Sequence, residues 1–519
     1  MTLKQLFLYF FGFVGGTPGV PSLRLGFWPF PIFGKWLALW RFKRRLRISA
    51  LQRHAVVIGK SGSGKSELLK LIILALKSKW IRFVQRKRTV LVLDPHGEVV
   101  QECAKNTFFV REAEAALAAG KKPDLVLISP SLRPGYLPTL NPFDLRGQSV
   151  SFRMAEVLAQ HLTAAFTTML SKGDMKLSFN METLLTPMFT VLISMSAARK
   201  RTPLTLFDLE QFLDDERNSR FLSFAHNRFH SEGLGQFFRS TFHSPLFRAT
   251  KFALRVKLSR LLTSRLFVNL LARPRSTWNL EQCMKSGKTV LIDASQSALG
   301  REVSEIYGRT ITALVQSYAF LRNPSQFHTP VFFLIDEAAS FITPEIETIL
   351  TQSRKYGLHL LLAMQMVKQG GISSGLHDAI MGNTALKILG HSGHRSKKVL
   401  SDEMELSTGT LPKLSVGWFV VQRDGAKAEK LKMPTSWLGE KHTVSDSRFA
   451  KLRTFFVRQY HAAVSVPAAT KSSESKCQGA HQNLNQLLPH CNVPSPFEAR
   501  GNNEIRHLPE HGENVPHDL

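Results

Sequence analysis

The stretch from His54 to Lys70, "HAVVIGKSGSGKSELLK", constrains the fold more than any other. Gly59, Gly64, Lys65 and Ser66 fit the pattern G-x-x-x-x-G-K-[ST]. In such a loop the glycines let backbone N–H groups converge on phosphate oxygens. The lysine reaches the β- and γ-phosphates, and the hydroxyl can hold Mg²⁺. The context suits this reading. Ala55–Ile58 reads as a buried strand, and Ser66–Trp80 as a helix whose N-terminus faces the anion. Gly59, Lys60, Ser61, Gly62, Ser63, Gly64, Lys65 and Ser66 are therefore the expected nucleotide-binding residues.

Further apolar runs follow at Thr89–Glu98, Leu125–Ser129, Lys288–Ser295, Pro330–Ser340, Leu358–Gln365, Ala385–His391 and Gly417–Gln422. Uninterrupted apolar strands separated by helical stretches predict a parallel sheet covered on both faces. This is a nucleotide-binding α/β architecture. Residues 151–275 carry helical periodicity without a strong strand run and read as an all-helical insertion. The expected division is an N-terminal arm (1–48), a core (49–150 and 276–434), the insertion (151–275) and a polar tail (435–519). The tail lacks periodicity and is expected to be mostly disordered.

Composition narrows the partners. The chain has 68 Lys+Arg against 39 Asp+Glu, a formal net charge of +29, which suits a polyanion or an anionic membrane surface. Its four cysteines, Cys103, Cys283, Cys477 and Cys491, include no C-x-x-C and suit a reducing cytosol. Cys477, His481, His490 and Cys491 match no common zinc spacing. The arm joins an apolar run, Leu6–Val14, to a Trp- and Phe-rich stretch and a basic cluster, Arg41–Arg47. Two readings stand equally: an anchor at the cytoplasmic membrane interface, or an arm packed on a neighbouring subunit.

A phosphate cradle needs acidic partners, and "FFLIDEAASF" supplies Asp336 to hold Mg²⁺ and Glu337 to polarise the attacking water. Downstream, Arg354 in "SRKYG" and Gln365 at the end of "LLLAMQ" are suited to the γ-phosphate. Asp94 in "DPHGE" ends a strand, where ligands bind; a turn role and a functional role are equally open. From Arg217 to Arg275 there are twelve Lys/Arg and one acid, Glu232, so Arg248, Lys251 and Arg255 on one helical face are candidate DNA contacts.

Taken in order, "IGKSGSGKS", "LDPHGE", "TLNPFD", "VLIDASQSALG", "FLIDEAASF" and "QSRKYGLHLLLAMQ" resemble the HerA–FtsK group of RecA-like motors. Within it they are most similar to conjugative coupling proteins of the TraG/TraD kind, over residues 50–425. The resemblance implies a RecA-like P-loop NTPase core, ATP hydrolysis with Mg²⁺, homohexameric rings and DNA translocation in type IV secretion. It also implies relaxase or relaxosome and secretion-channel partners, and a place at the cytoplasmic face of the bacterial inner membrane. By the same resemblance Asp336 and Glu337 are the Walker B pair, Arg354 a trans-acting finger and Gln365 a γ-phosphate sensor. One of Arg395, Lys397 and Lys398 is a further trans cation. Such proteins usually begin with two transmembrane helices, and this chain has only a short apolar arm there, which weighs against permanent membrane insertion.

Three functional readings follow. The first is a DNA-translocating ATPase for conjugation, which the charge favours. The second keeps the enzyme and changes the cargo to exported protein or pilus subunits. The third is a nucleotide-gated docking adaptor, against which the intact Lys65, Asp336, Glu337 and Gln365 argue.

Overall fold

The computed structural model describes residues 48–78, 87–145, 150–170, 175–198, 202–230, 232–342, 346–365, 374–393, 414–423 and 425–464, with Leu46, Lys398, Ser401 and Met404. Arg395 and Lys397, nearly all of the N-terminal arm, and the tail beyond residue 464 with its Cys and His residues lie outside the described residues.

Among the described residues nine strands form one sheet. In chain order the strands are β1 (Ala55–Ile58), β2 (Thr89–Asp94), β3 (Leu125–Ile128), β4 (Tyr136–Leu137), β5 (Thr289–Asp293), β6 (Val331–Ile335), β7 (Leu358–Met364), β8 (Leu386–Leu389), β9 (Trp418–Arg423), β10 (Glu429–Lys432) and β11 (Ala462–Ala463). The large sheet runs β10-β9-β8-β1-β7-β6-β2-β5-β3, and β11 pairs with β4 apart from it. Every residue of β1, β2, β3, β5, β6 and β7 is buried. That is why these strands read as continuous apolar runs rather than alternating ones.

The seven strands from β8 to β3 are parallel, as the sequence predicts. The edge corrects that expectation. β9 runs antiparallel to β8, and β10 antiparallel to β9. β10 is "EKLK", with only Leu431 buried. Charged residues are the usual protection of an exposed edge, and they erase the apolar signal by which a strand is recognised.

Between β4 and β5 all described elements are helical. Helices Phe152–Leu170 and Met175–Ala198 pack through Phe166 on Phe189 (ring centroids 5.5 Å) and a Thr186–Thr163 hydroxyl bond of 3.0 Å. The segment Phe179–Ala198 is apolar enough to span a bilayer by length, but more than half of it is buried within the protein. Both ends of the helical excursion are stapled by "TLNPFD". Asn141 Nδ2 donates to Leu204 O (2.8 Å) and Pro274 O (2.9 Å). Thr139 Oγ1 donates to Asn269 O (2.6 Å), and Asp144 accepts Ser276 N–H (2.7 Å). The motif is thus a fastening of buried polar groups.

The tail also needs correction. Order continues past residue 435 through a helix, Asp446–Tyr460, and β11. Phe449, Leu452, Phe456 and Tyr460 of that helix join the core. Ser445 caps its start, accepting Arg448 N–H.

Candidate functional site

The carboxyl ends of β1, β6 and β7 bring the candidate residues to one edge of the sheet. After β1 the chain enters the loop at Gly59, whose N–H donates to Met364 O of β7 (3.1 Å); Lys60 N–H donates to His391 O beyond β8 (2.9 Å). Gly64 closes the loop with φ +89°, and a Cβ there would meet Gly417 N at 3.3 Å. Both the positive φ and the close backbone approach require glycine. The helix Lys65–Lys77 begins immediately, with its free N–H groups turned toward the loop. It ends at Lys77, before the predicted Trp80.

A cavity of about 590 Å³ opens over this loop. Lys60, Ser61, Gly62, Gly64, Lys65 and Ser66 line one side, and Asp336, Glu337 and Gln365 another. Gly59 and Ser63 do not line it; Ser63 is buried behind the loop. Asp336 and Glu337 follow β6, and Gln365 follows β7. The structure therefore places these three side chains, more than 270 residues from the loop, on a shared cavity.

Within it Lys65 Nζ lies 2.7 Å from Asp336 Oδ1 and 3.2 Å from Glu337 Oε2. Burial works against the ammonium, but Asp336 and then Glu337 outweigh it and hold the Lys65 pKa above the usual lysine range. Glu337 sits in left-handed backbone, φ 46° and ψ 54°. A non-glycine residue there carries strain that surrounding structure must hold. Asp336 Oδ1 accepts the Glu337 N–H at 2.9 Å, which helps to hold it. Hard oxygen donors suit Mg²⁺, which takes one or two carboxylates and keeps several waters. The Ser66 hydroxyl and the Asp336 carboxylate, both lining the cavity, are donors of that kind.

Asp94 resolves into a defined role. Its buried carboxylate accepts the N–H groups of His96 (2.8 Å) and Val100 (3.3 Å), fixing the turn into the helix Glu98–Lys105. Burial first, then Asp336, pushes its pKa up to about 6. The sequence reading did not single out His96 and Glu98 of the same turn, yet both line the cavity.

Arg354 is elsewhere. It lies in a 3₁₀ turn, Ser353–Tyr356, ahead of β7, and its guanidinium donates to Asn383 O at 3.4 Å. Gln365 is at the opposite end of the same strand. Two buried histidines stand beside Arg354. Burial, then His359 and Arg354, pushes His54 down to about 3; burial is also the main cause that lowers His359, to about 4. His54 is therefore neutral at pH 7, and its Nδ1 accepts Leu360 N–H at 2.9 Å.

The basic helix Pro245–Leu262 overturns part of the expectation. Lys251 is buried, its Nζ 2.5 Å from Asp215 and 4.3 Å from the Phe242 ring centroid. It is a packing and ion-pair residue, not a surface cation. Arg255 pairs with Glu210 (3.2 Å) and Asp214 (3.0 Å). Arg220 pairs with Asp208 at 2.5 Å. Arg248 is exposed, and its side chain makes no ion pair with another described residue.

A glycine-rich loop after one parallel strand, an acidic pair after a second and a glutamine after a third define the P-loop NTPase fold, here with a helical insertion. Residues 40–221 match the family described as helicase HerA, central domain. Residues 330–404 match the TraM recognition site of TraD and TraG. The chain is thus similar to the HerA–FtsK group, and within it to conjugative coupling proteins. No curated protein matches the chain. Among solved structures it is similar to plasmid coupling protein TrwB in complex with the non-hydrolysable GTP analogue GDPNP, at 12% identity and a TM-score of 0.52. TrwB in complex with ADP and Mg²⁺ gives 13% and 0.51. Each match covers 74% of this chain and 86% of the other. Identities so low carry the fold alone.

Proposed function

We propose that the chain is an Mg²⁺-dependent ATPase of the coupling-protein kind, which moves DNA in conjugative transfer through a type IV secretion system. One observation carries the enzymatic part. Lys65, Asp336, Glu337 and Gln365 line a single cavity with a phosphate-shaped loop. In this reading Lys65 moves from the carboxylates to the β/γ-phosphates, and Ser66 and Asp336 hold Mg²⁺. Glu337 orients and polarises the attacking water, Gln365 contacts the γ-phosphate, and Arg354 serves a neighbouring copy in a homohexamer. The bound metal supplies charge neutralisation on the phosphates. Core and helical insertion divide as 49–150 with 276–434, and 151–275. Relaxosome and channel partners, and contact with the inner membrane through the arm, belong to the same proposal.

A second reading, export of protein or assembly of pili, gains from the ion pairs of Lys251 and Arg255, which remove two of the three candidate DNA cations. ATPase activity with and without single- and double-stranded DNA, across salt, separates the two. DNA-stimulated turnover that falls with salt supports the first. Turnover indifferent to DNA supports the second, and absent turnover leaves the adaptor reading.

A further inference from the structure

The turn Asp94–Glu98 is held on every side of its backbone, while two of its side chains stay free. The Asp94 carboxylate takes the N–H groups of His96 and Val100. From the next strand's end, Ala294 N–H donates to Asp94 O (2.9 Å) and Gln296 N–H to Pro95 O (2.9 Å). Gly97 has φ +80°, and a Cβ there would lie 2.9 Å from Asp293 Oδ1, so the turn is pressed against its neighbour. His96 and Glu98 are exposed, and neither side chain makes a hydrogen bond or ion pair with another described residue. Both line the cavity that holds Lys65 and the Asp336–Glu337 pair. β2 is separated from β1 by β7 and β6, so this wall stands across the Walker B strand from the loop.

A turn kept rigid by buried bonds, yet presenting an unused imidazole to a phosphate cavity, is built like a ligand contact. The two free side chains differ in what they offer. A carboxylate repels phosphate oxygens, whereas a ring N–H of histidine donates to them in either protonation state. Resting on the nucleotide reading above, we propose that His96 donates a hydrogen bond to the terminal phosphate of a bound nucleoside triphosphate. It thereby lets the site discriminate triphosphate from diphosphate before hydrolysis. Lys65 and Gln365 meet the terminal phosphate from the loop and from the end of β7, so the wall that carries His96 is the side of that phosphate left for a further donor.

The test is equilibrium binding by the full-length protein, without turnover. A fluorescent ADP is displaced by unlabelled ADP or by a non-hydrolysable ATP analogue, each with Mg²⁺. In His96→Ala the analogue should bind about tenfold more weakly, the loss expected for a hydrogen bond to a charged group. ADP affinity should stay within about twofold. His96→Asn, which retains an N–H donor, should recover part of the analogue affinity, and a thermal-melting comparison shows that both variants fold. Equal losses for both nucleotides would mean that His96 only supports the wall, and no loss for either would make it a surface residue; each overturns the proposal. If the unaltered protein binds neither nucleotide, the nucleotide reading itself fails.

Discussion

At the scale of single residues, the ion pair that Lys65 makes in this structure excludes the phosphate contact proposed for it. Lys65 neutralises Asp336 and Glu337, and its ammonium is the group suited to phosphate. Under the proposed function, nucleotide binding would exchange one anionic partner for another, and Mg²⁺ held by Asp336 would take over part of the carboxylate charge. Lys65→Ala should abolish nucleotide binding. It should also destabilise the nucleotide-free protein by on the order of 3 kcal/mol, because two buried carboxylates lose their counter-charge; chemical denaturation measures this. Glu337→Gln should retain binding and lower turnover by about 10²–10⁴-fold, the usual contribution of a positioned base. A normal rate would remove Glu337 from the chemistry. Asp94 gives a pH signature. Its folded pKa of about 6 lies above the ordinary 3.8. A raised folded pKa means that its share of stability is complete below about pH 3.8 and is lost as pH rises through about 6. Asp94→Asn keeps the acceptor for His96 N–H and cannot ionise. Its melting temperature should fall less than the unaltered protein's between about pH 4 and 6, and parallel curves would show that Asp94 does not titrate there.

At the scale of elements, legibility followed burial. Strands buried on both faces were readable because nearly every position is apolar; their ends carry Asp336 and Gln365 to the cavity and Asp94 to the buried turn beside it. β10 was not readable, because its charges protect an edge. The Leu360 N–H bond to His54 Nδ1 was not readable either, since it joins residues 306 apart. The basic helix is the sharpest case. From Arg217 onward the sequence has one acid in a long basic run, but the neutralising groups sit just before it, at Asp208, Glu210, Asp214 and Asp215. Folding turns that boundary into ion pairs. Of the three candidate cations, only Arg248 stays free for a phosphate. Arg248→Gln should thus flatten the log–log salt dependence of DNA binding by about one unit, with no change in melting temperature. Lys251→Gln should lower the melting temperature, since it leaves Asp215 without its cation and strips the charge from the Phe242 face. Its salt slope should stay unchanged. The reverse pattern would restore Lys251 as a DNA contact and make Arg248 structural.

At the scale of the whole molecule, the position of Arg354 requires more than one copy if the residue acts at all. β7 is seven residues long. At about 3.3 Å per residue it separates Arg354 from Gln365 and the nucleotide cavity by on the order of 20 Å, a span that no arginine side chain covers. Arg354 therefore cannot serve its own chain's cavity, and a finger role means that it reaches the cavity of a neighbour. The consequence can be measured. Arg354→Ala should spare nucleotide affinity and lower turnover by on the order of 10³–10⁵, the contribution of an arginine that meets charge developing in the transition state. An Arg354→Ala subunit keeps an intact Lys65, and a Lys65→Ala subunit keeps an intact Arg354. Each alone should be inactive. Mixed at varied ratios, with co-assembly verified by pull-down of differently tagged subunits, they should regain part of the ATPase activity, because some interfaces then hold both groups. Normal turnover of Arg354→Ala alone would show that the arginine has no catalytic part. Mixed assemblies that form but stay inactive at every ratio would exclude independent trans pairing, and with it the ring geometry in which each cavity is completed by the next subunit.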